Sequence, residues 1–156
     1  MKINTLLSED MVIPEILSQQ KDSALQEIVR YLKSKDKVRQ DKELYAKLIQ
    51  RERLGSTAIG DGIAIPHCKL KEVENPLVAL AISRKGVLFD ALDGKPTHLI
   101  FLIVSSPENP SQNLQILASL AHLLRKAGSL PKRIMAAKSP QKILEVIREE
   151  EEKIEE

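Results

Sequence analysis

Six consecutive apolar residues, Leu99-Ile100-Phe101-Leu102-Ile103-Val104, carry no charge and no polar break. A strand covered on both faces reads as such a continuous run, whereas a half-exposed one alternates. The fold must therefore supply helical cover on two sides of a sheet. Leu77 to Ile82 reads as a second buried strand, and Val87-Leu88-Phe89 as a short one, with Asp93-Gly94 as a turn. Ile63-Ala64-Ile65 is a short apolar strand stopped by Pro66. Between these lie helical stripes. Ser23 and Gln26 form a capping-box pattern ahead of Ala24, Leu25, Ile28, Val29 and Leu32, which predicts a helix from Ser23 to Lys35. Asp41 caps a second, with Leu44, Tyr45, Leu48 and Ile49 on one face and Arg51-Glu52 at or just past its end. Asn109-Pro110 opens a third, with Leu114, Leu117, Ala118, Ala121 and Leu124, ended by Gly128. Pro131 opens a short helix, and Ser139-Pro140 caps the last one, with Ile143, Leu144 and Ile147. Strands interleaved with helices make an α/β fold. Residues 1–148 read as a single domain and Glu149 to Glu156 as a solvated, frayed acidic tail.

The totals exclude several classes. A net charge of +2 gives no basic field for nucleic acid. The one cysteine, Cys68, rules out an intrachain disulfide and fits a reducing cytoplasm. The N-terminus has no apolar core of a signal peptide, and the longest apolar run is far too short to cross a bilayer, so a cytoplasmic protein without membrane insertion is expected. Cys68 and three scattered histidines form no ligand spacing, so no metal is expected, and Cys68 reads as a small packed residue.

Chemistry concentrates in Arg51-Glu52-Arg53-Leu54-Gly55-Ser56-Thr57-Ala58-Ile59-Gly60-Asp61-Gly62-Ile63-Ala64-Ile65-Pro66-His67. A helix end runs into a glycine-rich loop, where Gly60-Asp61-Gly62 permits positive φ and leaves backbone N–H groups free to face an anion. Pro66 then stiffens the approach to His67. Neutral imidazole is nucleophilic near pH 7, and its N-phosphorylated form passes the group on readily, so a donor-rich loop ending in histidine suits phosphoryl acceptance.

This stretch resembles the active-site signature of the fructose/mannitol-class IIA domains of the bacterial phosphoenolpyruvate-dependent phosphotransferase system. The resemblance continues through Phe89 to Pro96, His98 to Val104 and Leu114 to Ala121. It implies a three-layer α/β/α sandwich around a mixed, about five-stranded sheet, with the active histidine at its edge. It implies His67 as phosphoryl acceptor, Arg51 as the cation that balances the transferring charge, and Ser56, Thr57, Gly60 and Gly62 as the phosphoryl pocket. Arg51 precedes His67 by the family's sixteen residues. Arg53 reads as a solvent-facing charge. Two positions depart from the pattern. Asn113 stands where the family usually has a second histidine, and it can donate a hydrogen bond but carries no proton or positive charge. His122, nine residues on, points to nearly the opposite helix face. Ala58 replaces a common glycine.

The leading expectation is a IIA phosphocarrier needing no cofactor. It takes phosphate from HPr or a nitrogen-branch equivalent and passes it to a IIB component. Ile59, Ile63 and Ile65 are candidates for an apolar docking rim. The alternative is a nitrogen-regulatory IIA acting as a phosphorylation-dependent binding switch, and the third is a IIA-like fold without transfer, motivated by Asn113. A homo-oligomer remains open.

Overall fold

The computed structural model describes residues 2–155. Its centre is β6, Thr97–Ser105, whose residues Leu99 to Val104 are each at most 1% exposed. On one side β6 pairs antiparallel with β5, Leu77–Val87, which in turn holds β1, Val12–Ile13, in parallel. On the other side lie β3, Ile63–Ala64, and β2, Ala58–Gly60, as an antiparallel hairpin. β4, His67–Lys69, also lies parallel to β6. The sheet is mixed and six-stranded, in the order β1-β5-β6-β3-β2 with β4 beside β6. Ile63 faces Leu99 and His67 faces Ile103, the same offset on both sides of the break. β3 and β4 are thus two halves of one interrupted strand, and on that count the sheet has the expected five.

Helices cover both faces. α1, Ile3–Leu6, packs with α4, Ser111–Lys126, α5, Leu130–Ala136, and α6, Pro140–Glu155, in one layer. α2, Lys21–Ser34, and α3, Asp41–Arg53, pack on each other and on β5 and β4 in the other. The apolar stripes of α2 and α3 face inward as the periodicity requires, with Leu25, Ile28, Leu32, Leu44 and Leu48 fully buried.

The structure changes several expected boundaries. The strand expected at Leu77–Ile82 runs on to Val87 as one long strand, β5, with an irregularity between Ile82 and Val87. Of the short strand expected at Val87–Phe89 only Val87 belongs to it, Leu88 making an isolated bridge to Gln20. Gly86 lies in it at φ +92°, where an added Cβ would stand 2.8 Å from Pro96 Cβ. Gly86→Ala should therefore destabilise the fold by about 2–4 kcal/mol, a fall in Tm of roughly 5–15 °C by calorimetry. Arg51 and Glu52 lie inside the last turn of α3. The acidic segment expected to fray is the end of α6, and Glu150 and Glu151 are buried. Glu151 accepts the N–H groups of Ile3 at 2.8 Å and Asn4 at 2.7 Å, so it satisfies orphan donors at the start of α1. A run of charge on one helix is not all solvated when one turn of it faces an unpaired helix end.

Candidate functional site

Pro66 has no N–H to give a sheet, and the strand breaks there. β2 pairs only with β3, so β4 has β6 on one side and an open edge on the other. His67 opens this half-strand, half-buried at the sheet margin. Its Nδ1 lies 2.8 Å from the carbonyl oxygen of Ile65. A carbonyl only accepts, so Nδ1 carries the proton, and the neutral ring presents its lone pair at Nε2.

α3 packs against β4 and delivers Arg51 in its last turn. The half-buried Arg51 donates from Nη1 to the carbonyl of Gly55 at 2.9 Å, and among the described residues it has no carboxylate partner. Ser56 donates to the carbonyl of Phe89 at 2.5 Å and accepts from the Ala58 N–H. Thr57 donates its hydroxyl to Glu52 Oε2 at 2.5 Å and its N–H to Glu52 Oε1 at 3.1 Å. Both hydroxyl protons expected to serve a phosphoryl pocket are thus committed within the protein. The loop remains tied to the site, because Ile65 donates its N–H to the Thr57 carbonyl at 3.0 Å.

Gly60 and Gly62 are not brought to His67. The turn they form is level with His98, and His67 is level with Ile103. At about 3.3 Å per residue, roughly 16 Å of strand separate them. Positive φ is present as expected, +89° at Gly60, +56° at Asp61 and +79° at Gly62. The anion the turn receives is internal, because Asp93 Oδ2 accepts the Asp61 N–H at 2.9 Å. The N–H groups of Asp61 and Lys95 hold the Asp93 carboxyl below the usual carboxylate range.

Asn113, in the first turn of α4, is buried and donates from Nδ2 to the carbonyl of Cys68 at 3.3 Å. Among the described residues its Oδ1 has no partner, nor have Ser105 Oγ and Gln112 Oε1. His122 is exposed elsewhere on α4, beside Ser119 and Glu151. Of the expected docking rim, Ile59 is exposed, while Ile63 and Ile65 are buried. The exposed apolar residues next to the site are Leu54, beside Gly55, and Leu114, beside Asn113.

Sequence reasoning assigned no role to Glu52. A carboxylate in the last turn of a helix opposes the macrodipole, and an apparently misplaced acid was the signal that it had another partner. Burial pushes the Cys68 thiol from 9.0 up to about 12. The folded state therefore favours the neutral thiol. That contribution is complete below about pH 9 and is lost as pH rises toward 12. Alkylation at pH 8 should be slower than in the unfolded chain by on the order of a hundredfold or more, measured by mass with and without denaturant.

Comparison with known proteins places this geometry. The family model for the phosphoenolpyruvate-dependent sugar phosphotransferase system, EIIA 2, matches residues 5–150. The chain is 35% identical over 148 residues to the PTS system fructose-specific EIIABC component of Bacillus subtilis, covering 94% of this chain and 23% of that protein, so it spans about a quarter of that relative. It is 32% identical to a nitrogen regulatory protein of Bradyrhizobium diazoefficiens, covering 94% of this chain and 95% of the relative. The crystal structure of the nitrogen regulatory protein IIA-Ntr of Neisseria meningitidis superposes with a TM-score of 0.83 at 27% identity, over 93% of this chain and 98% of that one. The chain belongs to the EIIA type 2 family of the phosphoenolpyruvate-dependent sugar phosphotransferase system.

Proposed function

We propose that the chain is a phosphocarrier that accepts a phosphoryl group on Nε2 of His67 from a phosphohistidine protein of the HPr type and hands it to a IIB component. The observation that carries this reading is the bond from Nδ1 to Ile65, which leaves Nε2 unprotonated at an open strand edge. In the step, the Nε2 lone pair forms the new N–P bond while the donor's N–P bond breaks and its electron pair returns to the donor ring. The His67 ring gains positive charge, and its Nδ1–H already faces the Ile65 carbonyl. The Arg51 fork, without a carboxylate partner, offsets the phosphoryl charge. Asn113 keeps one N–H beyond its bond to Cys68, and that N–H is a donor for a phosphoryl oxygen. Leu54 and Leu114 give the transient partner an apolar rim.

The test is intact mass after mixing the chain with phosphoenolpyruvate, enzyme I and HPr, and separately with the nitrogen-branch pair. One phosphoryl adduct is expected. No adduct from either pair would end the reading, and Asn113→His would then show whether the missing second histidine is the cause. A regulatory use of the same chemistry is supported by the nitrogen regulatory proteins among its relatives. A phosphoryl group at the rim would then switch binding through its charge, and faster charging by the nitrogen-branch pair is the result that favours this reading.

A further inference from the structure

A hydrogen-bonded residue pair between antiparallel strands exchanges two N–H···O=C bonds. Thr57 and Ile65 make only one. The Ile65 N–H reaches the Thr57 carbonyl at 3.0 Å, but the reciprocal bond is absent. Both of its members are used elsewhere. The Thr57 N–H goes to Glu52 Oε1 at 3.1 Å, and the Ile65 carbonyl accepts from His67 Nδ1 at 2.8 Å. We infer that Glu52 is a positioning residue for His67: by drawing off the Thr57 N–H, it frees the Ile65 carbonyl to hold the imidazole as the Nδ1–H tautomer. The inference rests on the phosphocarrier reading only for its effect on transfer.

The surroundings suit that task. The Glu52 side chain is 4% exposed, its second oxygen is fixed by the Thr57 hydroxyl, and Lys21 Nζ lies 3.3 Å from Oε1. Lys21 is itself 12% exposed and held by Asp90 at 3.0 Å and by the Phe89 ring. A buried carboxylate with a counterion and two donors is a rigid acceptor. Without it, the Thr57 N–H is left to satisfy, and the nearest acceptor in strand register is the Ile65 carbonyl. The backbone donor and the imidazole would then compete for one carbonyl.

Long-range proton–nitrogen NMR on histidine-labelled protein above pH 8 reads the tautomer directly. Wild type is expected to show His67 as the Nδ1–H form. Glu52→Ala should shift it toward Nε2–H and slow phosphoryl uptake by on the order of 10- to 100-fold, by analogy with the loss of outer-shell partners that orient metal-bound histidines. Glu52→Gln, which keeps an acceptor for the Thr57 N–H, should retain the wild-type tautomer and most of the rate. Glu52→Leu removes the acceptor at similar volume should the alanine variant fail to fold. An Nε2–H tautomer in wild type, or an unchanged Nδ1–H tautomer in a folded Glu52→Ala or Glu52→Leu variant, overturns the inference. Failure of wild type to take up phosphate overturns the phosphocarrier reading alone, because the tautomer is read without a donor protein.

Discussion

His67→Gln is expected to fold and to take up no phosphoryl group from any competent donor. Glutamine can still donate an N–H toward the Ile65 carbonyl, so the strand edge keeps its polar balance. What it lacks is a nucleophilic nitrogen, because the amide lone pair is delocalised into its carbonyl. The effect is loss of the reaction rather than a slower rate, and intact mass beside a thermal melt separates it from unfolding. An adduct on the variant would move the acceptor elsewhere, with His98 and His122 the remaining histidines. His98 shares the Nδ1–carbonyl contact, to Ser83 at 2.8 Å, but it lies in β6, which has strands on both sides, and His122 is exposed on α4 away from β4.

Ending the chain after Arg148 should lower stability by about 4 kcal/mol or more, a Tm fall of roughly 10 °C or more. The truncation removes Glu151, whose carboxylate holds the Ile3 and Asn4 N–H groups and Asn4 Nδ2. It also removes Glu149 and Glu150, which bind the Arg133 fork at 2.7 and 2.6 Å. The Arg133 pairs are partly exposed and count for little. The larger loss is at α1, where buried donors are left without an acceptor. Such a loss is a large share of the 5–15 kcal/mol that holds a typical domain folded. A melt within two or three degrees of the full chain would show that the last turns of α6 are dispensable.

These two cases mark where the sequence was readable. β6 was legible because six apolar residues in a row have few other solutions, and α2 and α3 because their stripes keep helical period. His67 stood out by its place after Ile-Ala-Ile-Pro. Long-range pairing was not legible. Ser83-Arg84-Lys85-Gly86 looks like a loop, yet β5 carries through it because β6 supplies a partner as far as Thr97. Glu150 and Glu151 belong to a charge run whose buried members are visible only once α1 is placed against them. Gly60 and Gly62 are close to His67 in number but not in space, since β3 runs along β6 between them. Glu52 escaped notice because one of its partners is a backbone N–H, which has no letter in a sequence, and another, Lys21, lies thirty-one residues away in the chain.

The unbroken register across Pro66 has a dynamic consequence. Because β3 and β4 dock on the same central strand without a slip, the edge bearing His67 is expected to open together with β6 rather than by itself. Hydrogen exchange at Ile103, whose N–H is held by the Pro66 carbonyl at 3.0 Å, should report the same cooperative unit as the core of β6. On the phosphocarrier reading proposed above, a site built into that unit needs no lid, and the residence time of each partner at the edge is then expected to set its turnover.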